Sequence, residues 1–186
     1  MDLVPDTDHV SRLCAEEFSV LRQTIAMRGT ARMLIVPATC LGWAAIATVV
    51  TATPAAGLVP LAVLVTGFEA VHALHVGTER IGRYLQVFYE AGGDGPRWES
   101  TAMAVGPALP GGGIDPLFAG VFVGVTLLNL VVASPLRSEP VVAATTVALH
   151  LGFAIRIVRA RLAASRQRAV ELESFKALQS RDRARG

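Results

Sequence analysis

Four apolar runs, 33–52, 58–77, 116–134 and 140–158, are each long enough to cross a bilayer as an α-helix. Pro, Gly or charged residues bound every run, so they read as separate helices. Charged residues make up about a quarter of an ordinary soluble domain. Here they make up 17%, against 52% hydrophobic residues and a mean hydropathy of +0.49. The expected fold is an all-α integral membrane protein, a single domain of four transmembrane helices in an antiparallel bundle with cytoplasmic helical extensions.

The net charge of +2 says little until the charges are placed. Of seventeen Lys and Arg residues, sixteen fall before the first run, between the second and third, or from Arg156 onward; Arg137 alone falls on the other side. Positive residues stay on the cytoplasmic side of a membrane. Both termini and the middle loop are therefore expected in the cytoplasm. These arginines sit beside span ends, where anionic lipid accounts for them, so no nucleic-acid partner is expected. About thirty polar or mixed residues precede the first run, which is too many for a cleavable signal peptide. The abundance of Arg, Ala, Val and Gly points by association to a GC-rich bacterial genome, hence to a bacterial inner membrane.

Ahead of the first span, Asp8 is a candidate cap for a cytoplasmic amphipathic helix, 8–28, whose stripe is Cys14, Phe18, Leu21 and Ile25. Gly29 and Thr30 read as a joint before the membrane. The first span contains Pro37, a kink signal, and Trp43, whose indole N–H needs a partner inside the bundle. The second span is expected to continue as helix to about residue 90, with Ile81, Leu85 and Phe88 on one side and the pair Glu79 and Arg83 on another. Residues 91–115 form a Gly/Pro-rich loop with a short surface helix around Trp98. Within it, Gly111 to Gly113 lack the preceding strand and following Lys of a phosphate loop. Asp115 before Pro116 starts the third span, in which Gly120 and Gly124 suit close packing within the bundle and Asn129 needs an internal hydrogen-bonding partner. The fourth span carries His150 and is expected to run on as helix to about residue 178.

The second span holds Glu69, His72 and His75 on one stripe, and ionisable groups at membrane depth mark a functional-site hypothesis. Counting from Leu58 and Pro140 places Glu69 and His150 at similar depth, about 15–17 Å from the outer surface. Three functional readings follow. His150 with His72 or His75 could ligate a haem; Glu69, His72 and His150 could bind a transition metal such as zinc; or the same groups could form a proton or cation path. Against these stands a polar cluster that only fixes helix register, with Glu69 bonded to His150, Trp43 or Asn129. Glu69 and His72 also form half of a di-iron Glu-x-x-His pattern, but no other span contains an Asp or Glu.

Neither a Ser/His/Asp set nor a reactive Cys/His set is legible, and Cys14 and Cys40 read as packing residues. The leading expectation is a non-enzymatic membrane protein that works by assembly, as a homo-oligomer or with a membrane-protein partner. The alternative is a haem, metal or ion-handling protein centred on the second span.

Overall fold

The computed structural model describes residues 7–50, 57–90, 98, 100–101, 116–133 and 139–185, and the described residues of the chain are almost wholly helical. Four helices carry the architecture: α1 (Thr7–Val50), α2 (Leu58–Phe88), α3 (Pro116–Ala133) and α4 (Pro140–Arg183). Three of them, α1, α2 and α4, are long and apolar enough to cross a membrane. The apolar stretch of α3, Phe118–Ala133, is shorter. The result is a helical bundle of membrane-protein character. Most of the Gly/Pro-rich loop, with the expected capping residue Asp115 and the Gly111 to Gly113 run, lies outside the described residues, as does the 51–56 turn. Trp98, Ser100 and Thr101 are helical, and the Ser100 N–H donates to Glu90 at 2.7 Å.

The expected joint at Gly29 and Thr30 does not form, since α1 runs unbroken through both. Gly29 costs a helix only about 1 kcal/mol, whereas breaking α1 there would cost its packing on α2 on both sides of the joint. Arg28 lies over Gly77 of α2 where a side chain would block it, and Arg32 Nη1 donates to His75 Nδ1 at 3.0 Å. Pro37 sits inside the same helix. Two residues on, Thr39 Oγ1 donates to the Ile35 carbonyl at 2.7 Å, and Thr39 fills the space left by Gly67 of α2. Gly67 lacks a side chain because Thr39 occupies its place.

The pairs along α1 and α2 run in opposite order: Gly42 with Val63, Thr39 with Gly67, Arg32 with His75, and Glu17 with Tyr84 and Tyr89. The two helices are antiparallel. α2 and α4 instead run parallel, with Glu69 against Arg156, Glu79 against Arg168 and Arg83 against Glu171. Leu64, Phe68, Phe122, Phe153 and Ile157 are buried where α2, α3 and α4 meet. Phe68 is the centre of this core. It meets Phe122 and Phe153 edge-on at 5.5 and 5.7 Å, the arrangement in which ring edge faces π-cloud.

One packing expectation is overturned. A Cβ added at Gly120 or Gly124 meets nothing within 4 Å, so this pair faces away from the bundle rather than into it.

Candidate functional site

The polar side chains inside the apolar segments separate into three groups at different levels. The uppermost joins Trp43, Asn129 and His150, with Asn129 and His150 both buried. Trp43 Nε1 donates to Asn129 Oδ1 at 3.1 Å. The Asn129 amide donates to the Gly57 carbonyl at 2.9 Å and to His150 Nε2 at 2.8 Å. His150 Nδ1 lies 2.7 Å from the Thr146 carbonyl, which can only accept, so the proton is on Nδ1 and Nε2 is the acceptor. Both ring nitrogens of His150 are thus engaged. The partners required by Trp43 and Asn129 are each other, and the network ties α1, α3 and α4 to the start of α2.

The middle group is Glu69 with Arg156, 2.8 Å apart, each side chain a little over two-fifths exposed. The Arg156 guanidinium lies 5.7 Å from the Phe68 ring centre, and the His72 ring stacks on the other partner of that contact at 5.8 Å, so one phenyl ring orders both groups. His72 Nδ1 is buried and has no hydrogen-bond partner among the described residues. The lowest group is His75 with Arg32.

Glu69 and His150 are therefore not at the same depth. Glu69 meets Arg156, six residues and about 9 Å beyond His150 along α4. Depth counts from Leu58 and Pro140 fail because α4 begins further out than α2: Gly57, at the start of α2, lies against Thr146 and His150. A zinc ion would need its ligand atoms about 2 Å away. Among the described residues, no group of three or more His, Cys, Asp or Glu side chains is placed to hold a metal ion. The structure brings together His150 with Asn129, Glu69 with Arg156 and His75 with Arg32, and leaves His72 on Phe68.

Beyond the apolar segments, α2 and α4 are joined by a charged cluster that was only partly legible. Glu79 and Arg83 pair at 3.1 Å as their spacing requires. Arg83 also pairs with Glu171, Arg168 with Glu79 at 3.1 Å, and Arg80 with Glu171 at 3.2 Å. The Arg83 side chain is only 4% exposed, so this is a buried charge held by two carboxylates. Burial alone would raise the Glu171 carboxyl, but hydrogen bonds from Gln167 and Arg80 and the charges of Arg83 and Arg80 hold it below its usual value. On the other flank, the Tyr84 and Tyr89 hydroxyls donate to the two oxygens of Glu17 at 2.9 and 2.6 Å. Burial, then the bond to Glu17, pushes both phenols up.

No family model, curated protein or solved structure matches this chain. Function must therefore be read from these contacts.

Proposed function

We propose that this is a four-span inner-membrane protein of a bacterium, with both termini cytoplasmic, and that it acts by assembly with a second copy of itself. The observation that supports assembly is a stripe on α1. Leu13, Val20 and Met27 recur every seven residues and are 52%, 59% and 66% exposed, and Leu34 and Leu41 continue the series. Exposed Leu34 and Leu41 are ordinary in a lipid-facing segment. Leu13, Val20 and Met27 lie beyond the level of Gly77, outside the apolar segment of α2, where apolar side chains face water unless covered.

A seven-residue period drifts by about 20° per heptad on a straight helix and is matched by a helix of the same period winding around it. Four residues after Val20, Met27, Leu34 and Leu41 stand Thr24, Ala31, Ala38 and Ala45, small residues that let another backbone approach. Two copies inserted in one membrane share an orientation, so their α1 helices can meet in parallel with identical residues facing. The face used is nearly opposite the one that packs on α2, since Leu34 and Leu41 are each two residues, about 200°, from Val36 and Thr39.

The cofactor reading is weaker because His150 has no ring nitrogen left to bind a metal, and the His75 Nδ1 lone pair accepts from Arg32. The test is cysteine cross-linking in native membranes, in a chain whose Cys14 and Cys40 are replaced by Ser and Ala. Val20→Cys and Met27→Cys should link copies readily, and Arg22→Cys, about 200° from Val20, should not. Equal cross-linking at Val20 and Arg22, with a strict monomer in mild detergent, would remove the proposal.

A further inference from the structure

On the outer face of the α2 and α4 pair, away from the α1 stripe, two grooves meet end to end at Gly152 and Arg156. The first, about 560 Å³, is apolar and lined by residues including Leu58, Leu61, Val65, Leu149 and Phe153. The second, about 370 Å³, sets His72, Arg156, Arg159 and Gln167 among apolar residues such as Ile155 and Ala160. The first groove lies toward the starts of α2 and α4, and the second, which holds the basic side chains, toward their charged continuations.

We infer that this double groove is a binding site for one anionic phospholipid of the inner leaflet, with its phosphodiester at Arg159 and Arg156 and one acyl chain along the apolar groove. Charge complementarity selects the class of lipid. Arg156 and Glu69 neutralise each other, so among the described residues Arg159 leaves this end of the double groove with one uncompensated positive charge, matched by a single phosphodiester. A zwitterionic lipid would bring an ammonium as well, and the carboxylate present is already bound to Arg156. Guanidinium groups suit phosphate oxygens, since they donate two hydrogen bonds in one plane. The Gln167 amide, one N–H of which donates to Glu171, stands on the same wall with its second N–H as a neutral donor. The direction also agrees: the basic end lies toward the charged continuations of α2 and α4, and the apolar groove runs from it along α2 toward Leu58.

Gly152 makes the inference testable without disturbing the fold. A Cβ there meets nothing within 4 Å and Gly152 lines both grooves, so a larger side chain starts in open space and extends into the groove. The experiment is native mass spectrometry of the full chain released from nanodiscs containing equal phosphatidylglycerol and phosphatidylcholine. The wild type should retain one phosphatidylglycerol in clear preference to phosphatidylcholine. Arg159→Gln should weaken that retention about tenfold, as for the loss of one charge-assisted contact. Gly152→Leu should lower retention of both lipids, with helicity unchanged. The Val20→Glu/Met27→Glu variant, monomeric under the assembly proposal, should bind lipid as the wild type does. Equal retention of the two lipids by the wild type would overturn the inference, as would retention indifferent to both groove substitutions. Displacement by soluble glycerol phosphate would do so too, because it would reveal a headgroup site with no use for the chain.

Discussion

Asn129 donates to Nε2 of His150 across 2.8 Å, and both residues then have every side-chain polar group satisfied by a neighbour on another helix or by the Thr146 carbonyl. Replacing Asn129 by Leu keeps the branched shape but strands the Trp43 N–H and the His150 lone pair in an apolar environment and leaves the Gly57 carbonyl only its long bond from the Leu61 N–H at 3.4 Å. The expected loss is about 2–4 kcal/mol, against about 1 kcal/mol for Trp43→Phe, which removes a single bond. Reversible denaturation in mixed micelles measures both, and comparable losses for the two variants would contradict the network.

Arg83 and Arg80 both contact Glu171, but one is buried and the other is 58% exposed. Arg83→Met should cost about 3–5 kcal/mol because it leaves two carboxylates without their buried counter-charge. Arg80→Met should cost under about 1 kcal/mol. The same denaturation assay separates them.

Acid should loosen this cluster in a defined window. The carboxyl of Glu171 is held below its ordinary value of 4.5, so its contribution is complete at neutral pH. That contribution is lost as pH falls through the lowered folded value. In Glu171→Gln the acid-induced loss of stability should be shallower; an unchanged acid limb would show that other carboxylates dominate.

The alkaline side is governed by Tyr84 and Tyr89. Both phenols are pushed up, so the folded state favours the neutral form: their contribution is whole below the ordinary value of 10.0 and declines above it. Tyrosinate absorbance should appear late in the wild type and earlier in Glu17→Gln, where burial remains but the charge and the bond to Glu17 are gone. Identical titrations would mean that burial alone holds the phenols.

Gly67→Ala should cost about 1–3 kcal/mol by driving a methyl group into Thr39. Thr39→Ala in the same chain should recover part of that loss, whereas Gly152→Ala, which faces open space, should be nearly neutral. A double-mutant cycle of Gly67 and Thr39 reads the coupling directly.

The apolar runs and their extensions were legible because long periodic segments carry their own signal, and the inward demands of Trp43 and Asn129 followed from single polar groups in apolar surroundings. What failed depended on relations between helices. Gly29 resembles a hinge until Arg28 and Arg32 are seen gripping α2. Gly120 and Gly124 read as a packing pair, yet spacing says nothing about which way a helix is turned. Counting from Leu58 and Pro140 places His150 level with Glu69, and only contacts reveal the longitudinal offset between α2 and α4. Arg156, the counter-charge of Glu69, looked like an end anchor; a carboxylate within an apolar run was the available clue that a cation had to be nearby.

α1 and α4 each contain 44 residues in one uninterrupted helix, a rod of about 66 Å. Such a rod is a lever in which a small change of angle at one end becomes a large displacement at the other. From Arg161 to Arg183, α4 extends about 33 Å, so a change of about 10° in its tilt swings the far end by about 6 Å. Glu171, Arg83 and Arg168 tie α4 to α2 along this arm, and so the arms must swing together. Any reorientation of the apolar segments is thereby converted into lateral displacement of the helix tips.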